Sequence, residues 1–249
     1  MKATVTYIYH NCFILKEPSR TFLFDYPGNL FLNAKMRKIV TTELRDSKVF
    51  IFASHSHYDH FNPKIVDLAK TASQAILILS HDIIDKHPQF RKLKNCIIAK
   101  PQANYEIEGI RIKTLLSNDQ GVAYLIQTGE NNIYFGADLA KWSWDEFTPE
   151  ERRKMEKHFQ KAINTLAETK IDIAFENTDQ RLANWAGAAE FIETVKPDLF
   201  IPMHTFGKTG SLKRFVESLG QTESKIFLYK QVGDTIDFEG GSSPGMLLE

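Results

Sequence analysis

Residues 49–61 read VFIFASHSHYDHF. The first five are an unbroken apolar run, the pattern of a strand buried on both faces. A polar loop follows, and Pro63 then opens a helix of about eight residues, in keeping with proline at a first helical position. A buried strand thus delivers His55, His57, Asp59 and His60 to one loop. In extended backbone alternate side chains share a face, so His55 and His57 point together. The turn behind them lets Asp59 and His60 reach the same cavity from another side. Imidazole nitrogen and carboxylate oxygen are ligands that zinc, manganese and iron accept. Three of the chain's eight histidines fall within these six positions, which marks a metal site rather than an ordinary polar loop.

Outward from this loop the chain alternates short apolar runs with helical patterns. Residues 4–9, 13–16 and 21–24 read as strands, and 34–45 as a helix. Residues 75–79 form another buried strand, and 82–87 a short helix stopped by Pro88. Residues 96–99, 105–107, 110–115, 122–127 and 133–135 read as an antiparallel meander. A long helix with a mixed charged face covers 149–170. Then come a strand at 171–175, a helix at 185–195, a strand at 199–201 and a helix at 211–219. Strands at 225–228 and 235–238 close the pattern. Two sheets with helices on their outer faces accommodate this order. One domain over residues 1–240 is expected, with 241–249 a flexible tail.

Composition narrows the function. Of 249 residues 43% are hydrophobic, enough for a large core. Lys+Arg and Asp+Glu both total 31, so no broad electrostatic grip on nucleic acid or anionic lipid is expected. Mean hydropathy is −0.30 and no long apolar run suits a membrane span. The N-terminal residues carry no apolar signal segment, so a cytoplasmic location is expected. Cys12 and Cys96 are too few for a disulfide framework and read as small, reduced hydrophobes.

The H-x-H-x-D-H pattern after an apolar strand resembles the signature of the metallo-β-lactamase-fold hydrolases. Further landmarks extend the resemblance from about residue 5 to 206. Asp25, closing TFLFD, is similar to the family's early aspartate, which orients the metal loop. Asp138, in YFGADLA, resembles the aspartate that bridges two metals, and His204, in LFIPMHT, the last histidine ligand. The resemblance implies an α/β fold of the αββα sandwich type, with two mixed sheets packed face to face. The likeness runs closest to the lactonase-like branch, which includes ascorbate-phosphate lactonases. One departure stands out. The family's histidine between the first motif and the bridging aspartate is missing, since residues 111–129 hold none. Asn118 and Asp119 occupy that region. Asp119 replaces the missing ligand in one reading; in the other, residues 117–121 are a polar turn.

The resemblance implies one or two divalent ions, zinc first and manganese as the alternative. Asp59, His60, His204 and Asp138 would make one nearly complete site. His55, His57 and Asp138 would make a weaker one unless Asp119 joins. A hydroxide held there would attack an ester, lactone or phosphodiester bond of a small substrate, with Asp59 orienting it and passing on its proton. Around this core several readings stay open. His10 either borders the metal cavity or is a strand-end histidine bonded to backbone. Trp142 and Trp144 either wall the pocket or anchor the long helix. Arg181 either clamps a phosphate or carboxylate or braces Asp179. His81, His87 and His158 read as structural. The expected partner is a small molecule, with no nucleic acid and no membrane, and a homo-oligomer is left open. A periplasmic lactamase, an RNA-processing nuclease, a glyoxalase-type thioesterase and a flavin-linked diiron oxidoreductase fit less well. The competing class is a catalytically silent metal-binding scaffold or sensor of the same fold.

Overall fold

The structure is a computed structural model and describes residues 2–240. The tail expected at 241–249 lies outside the described residues. The first sheet contains β1 (Lys2–Tyr9), β2 (Cys12–Glu17), β3 (Arg20–Phe24), β4 (Lys48–Ala53), β5 (Gln74–Ser80) and β6 (Cys96–Ala99). The second contains β7 (Asn104–Ile107), β8 (Ile110–Leu116), β9 (Val122–Gln127), β10 (Asn132–Phe135), β11 (Ile173–Asn177), β12 (Leu199–Met203) and β13 (Lys225–Ile226). The last strand, β14 (Thr235–Glu239), returns to the first sheet beside β1. The orders are β14-β1-β2-β3-β4-β5-β6 and β13-β12-β11-β10-β9-β8-β7. Both sheets are mixed: β3 to β6 run parallel, as do β10 to β13.

Side-chain alternation along the strands builds the layers. In β4, Phe50 and Phe52 enter the core between the sheets, while Val49, Ile51 and Ala53 face outward under helices. In β12, Leu199, Ile201 and Met203 face inward and Phe200 outward. The outer face of the first sheet is covered by α1 (Ala34–Leu44), α2 (Ile65–Ala69) and α3 (His81–Lys86). The second is covered by α4 (Pro149–Ala167), α5 (Ala188–Val195) and α6 (Ser211–Leu219). This is the expected αββα sandwich. Among the described residues no helix is long and apolar enough to cross a membrane.

Three local expectations need correction. The meander begins at β7, because Cys96–Ala99 instead lies parallel to β5 at the edge of the first sheet. The helix after Pro63 starts only at Ile65, because the Asn62 side chain accepts from the Lys64 N–H and holds a turn there. The helix expected over 185–195 is broken at its start, where Ala186 (φ 56°) and Gly187 (φ 91°) are left-handed. The chain passes so close to Lys141 that a Cβ on Gly187 would meet the Lys141 Cβ at 2.6 Å. Helix α4 starts where expected, with a reciprocal cap between Thr148 and Glu151.

Aromatic rings join the sheets. Phe24 stacks on Phe135 across the interface at 4.6 Å and touches Phe175 (5.2 Å) and Phe52 (5.4 Å). All four are fully buried. Phe24→Ala is expected to cost about 3–5 kcal/mol, the range for a buried aromatic truncation. Urea unfolding of the two proteins measures it; a loss below about 1 kcal/mol would show that this junction does not hold the sheets together.

Candidate metal centre

The candidate residues gather along one edge of the sandwich, where strands of both sheets end. His10 follows β1, Asp25 follows β3, and His55, His57, Asp59 and His60 follow β4. Asp119 lies between β8 and β9, Asp138 follows β10, Asp179 follows β11 and His204 follows β12. Parallel strands of α/β sheets commonly place ligand sites at such ends. His10, Asp25, Ala137 and His204 hold positive φ of 52°, 39°, 50° and 62°. Non-glycine residues rarely adopt this conformation, and its clustering here indicates a constrained site.

Asp25 organises the loop. Its Oδ1 accepts from the Ser54 N–H at 2.8 Å, and its Oδ2 accepts from the Ser54 hydroxyl at 2.7 Å. His60 Nδ1 lies 2.7 Å from the same Oδ2 and donates to it. The Ser54 hydroxyl proton is committed to Asp25, so its oxygen accepts from His55 Nδ1 at 2.9 Å. Both rings therefore present an Nε2 lone pair. Asp179 does the same for His204, with Oδ2 at 2.9 Å from Nδ1. Such outer partners fix tautomer and ring orientation in metal sites.

The three Nε2 atoms converge on Asp138. His60 Nε2 lies 3.4 Å and His204 Nε2 3.7 Å from Oδ1, and His55 Nε2 lies 3.5 Å from Oδ2. His55 Nε2 also lies 3.0 Å from His57 Nδ1. Burial, followed by the charges of Asp119, Asp59, Asp25 and Asp179, pushes the Asp138 carboxyl well above its ordinary range. Burial, followed by neighbouring imidazoles, pushes His55 and His60 well below theirs. They are thus neutral, the form that binds metal. His60 Nε2 is buried without a hydrogen-bond partner among the described residues. This donor set fits a divalent cation. Two groups of mutually close ligand atoms result: His55, His57, Asp119 and Asp138, and the buried imidazoles of His10, His60 and His204.

Asp119, not Asn118, faces the histidines, with its Oδ2 3.9 Å from His57 Nδ1. Asn118 is engaged elsewhere: it accepts from the Ala140 N–H at 3.1 Å and donates to the Ala140 carbonyl at 2.7 Å. The loop carrying both reaches the first motif through Gly121 (φ 71°), where a Cβ would lie 2.0 Å from the Ser54 carbonyl oxygen. Asp59 projects its Oδ2 to 3.5 Å from His10 Nε2 and 3.7 Å from His60 Nε2. His10 differs from the other rings. Its Nδ1 accepts from the Phe206 N–H at 3.4 Å, so the neutral ring carries its proton on Nε2, toward Asp59. Trp142 donates from its indole N–H to the Asp138 carbonyl at 2.9 Å, and its ring lies 5.2 Å from that of His204. Arg181 pairs with Asp179. His158 bonds the Leu116 carbonyl, His87 packs on Phe61 and Phe90, and His81 lies beside Ser80.

Several residues escaped the sequence reading. Asn11 accepts from the His204 N–H at 2.9 Å and donates to Asp138 Oδ1 at 3.5 Å. Asp82 accepts from the Ser56 N–H and from Gln120, tying the first motif to the Asp119 loop. Asp179 bonds His204 as well as Arg181. Burial alone would raise it, but hydrogen bonds from His204 and Arg181 outweigh that and hold it below its ordinary range. Asn177 donates to the Ala137 carbonyl at 2.7 Å and so shapes the turn before Asp138. Beside it, Glu176 is wholly buried, and burial pushes its carboxyl up to about 8. None of these carries a motif; only the adjacency of Asn11 to His10 offers a sequence signal.

Compared with known proteins, the chain matches the family described as beta-lactamase superfamily domain over residues 4–145. Among curated proteins no sequence match is found. Solved structures share the fold. Igni18, a novel metallo hydrolase from the archaeon Ignicoccus hospitalis, superposes with a TM-score of 0.67 at 15% identity, covering 97% of this chain and 100% of its own. YhfI from Bacillus subtilis, a metallo-beta-lactamase fold protein, gives 0.63 at 14% identity, covering 95% and 99%. CmlA, a diiron beta-hydroxylase from Streptomyces venezuelae, gives 0.56 at 14% identity, covering 95% of this chain and 54% of its own. At these identities the likeness concerns the fold alone.

Glu176 supplies a pH test with a definite sign. Between its ordinary value of 4.5 and about 8 the folded chain holds a proton that the unfolded chain releases. Its contribution to stability therefore falls as pH rises through that window. Glu176→Gln removes this dependence. The stability of the variant relative to wild type is expected to rise steadily from pH 5 to pH 8, by up to about 1.4 kcal/mol per unit. Urea unfolding at each pH measures it; a difference independent of pH would contradict a protonated Glu176.

Proposed function

The chain belongs to the beta-lactamase superfamily domain family, and on that premise we propose that it is a metal-dependent hydrolase of a small ester, lactone or phosphodiester substrate. The observation that carries this reading is the Asp138 carboxylate set among three imidazole Nε2 lone pairs. His60, His204, Asp59 and Asp138 would hold one divalent cation, and His55, His57, Asp119 and Asp138 a second. Zinc suits the imidazoles, and the carboxylates admit manganese. The His57 and Asp119 side chains are about half exposed, at 43% and 48%, so that side is the weaker and more exchangeable one. A bound divalent cation supplies Lewis-acid polarisation and acidifies water.

The chain's own residues do the rest. Asp59, 18% exposed, faces the centre from its solvent side and is placed to orient the attacking water and accept its proton. His10 Nε2 lies 3.5 Å from that carboxylate and is buried without a hydrogen-bond partner among the described residues. Asp25, Ser54 and Asp179 keep three imidazoles in the ligating tautomer. Trp142 and Phe206 pack against His204 and keep bulk water from that side. No serine or cysteine nucleophile is needed; Cys12 is buried, and burial raises its thiol well above the ordinary range.

Asp59→Ala and His57→Ala are each expected to lower turnover of a phosphodiester, lactone and thioester panel by about 10²–10⁴-fold, with the far-UV circular dichroism unchanged. The panel is run with zinc and with manganese. Retained activity in either variant would reject that residue's role. Stoichiometric metal without hydrolysis that depends on Asp59 would overturn the enzyme reading in favour of a silent metal-binding scaffold.

A further inference from the structure

Arg181 stands on the rim of the centre in an unusual state: half of its hydrogen-bonding fork is used and half is free. Nε donates to both Asp179 oxygens at 2.9 and 3.0 Å, and Nη2 donates to Oδ2. Nη1 donates to no acceptor among the described residues, and the side chain is 50% exposed whereas that of Asp179 is 2% exposed. The free edge is nonetheless held in place. The guanidinium lies over the Trp144 ring at 4.8 Å and the Phe206 ring at 5.0 Å. Such stacking fixes its plane and leaves its N–H edge available.

Three paths tie this guanidinium to the buried imidazoles. Asp179 bonds both Arg181 and His204 Nδ1. Phe206 stacks on His10 at 3.9 Å and lies 4.9 Å from His204. Trp144 stacks on Trp142 at 5.8 Å, and Trp142 lies against His204. Asp138 and Asp59 act electrostatically on Arg181, and its charge acts on His10. Bracing Asp179 needs only the edge already bonded. A second edge, rigid, charged and beside the candidate centre, matches the two oxygens of a planar carboxylate or of a phosphate.

We propose that Arg181 anchors an oxyanion on the substrate, a carboxylate or a phosphate, through its free Nη1 edge, with Trp144 and Phe206 fixing the guanidinium plane. This rests on the hydrolase reading and narrows it to substrates that carry negative charge beside the bond that is cut.

The test is equilibrium binding, which needs no turnover. Metal-loaded wild type, Arg181→Lys and Arg181→Ala are titrated with succinate and with methyl phosphate, by tryptophan emission and calorimetry. The metal content of each protein is measured in parallel. At least one anion is expected to bind the wild type, with a dissociation constant at least tenfold higher in Arg181→Ala. Arg181→Lys should fall between, since it keeps the charge and loses the fork, and metal content should not change. The anion with the larger loss identifies the carboxylate or the phosphate. Equal affinity in wild type and Arg181→Ala would overturn the proposal, as would failure of both anions to bind the wild type. Loss of metal in Arg181→Ala would also overturn it and leave Arg181 a brace for Asp179 and His204. Anion binding that depends on Arg181, without hydrolysis that depends on Asp59, would reject the hydrolase and leave the anion anchor standing.

Discussion

One buried carboxylate sets the geometry on which the rest of the site depends. Asp25 leaves β3 in a left-handed conformation and is fully buried, yet it receives three donors from the loop after β4. Burying a carboxylate is costly unless its oxygens are hydrogen-bonded. Burial does push Asp25 well above its ordinary range, and the Ser54 hydrogen bonds oppose that shift. The bonds also propagate. The Ser54 hydroxyl, oriented by Asp25, orients His55, and the second carboxylate oxygen orients His60. A single acid thereby decides which nitrogen two histidines present.

The second sheet completes what the first begins. Its strands β10, β11 and β12 end at Asp138, Asp179 and His204, and the Phe24–Phe135 stack holds that edge against the first sheet. Asp138 draws its character from this closure. Four other aspartates crowd it while burial holds His55 and His60 well below their ordinary range, so the cluster is short of positive charge. A divalent cation is the economical way to relieve that imbalance, because it turns repulsion among acceptors into shared coordination. Asp119 lies at the solvent side of the cluster, its Oδ2 3.9 Å from His57 Nδ1.

The first motif was legible because its candidate ligands lie side by side in the chain behind an unmistakable strand. Asp25, Asp138 and His204 were legible as strand-end residues in the right order. The unbroken apolar run at 49–53 foretold a strand buried on both faces, as β4 is. What stayed hidden depends on contacts between distant segments. Nothing near Asp82 announces that it bonds Ser56 and Gln120. Asn11 reaches Asp138 across 127 positions, which no local pattern records. The tautomer of His10 follows from a backbone N–H of Phe206, far along the chain. Cys96–Ala99 looks like any meander strand until its parallel register with β5 is seen. The start of the helix at 185–195 fails for a steric reason, the close pass of Gly187 by Lys141.

The most direct measurement is anomalous diffraction from a crystal grown with zinc or manganese, recorded on both sides of the metal's absorption edge. A peak is expected bonded to Asp138 and to the Nε2 atoms of His60 and His204, with any second peak between His55, His57 and Asp119. An anomalous map with no peak at Asp138, or with the ion bound elsewhere, would contradict it.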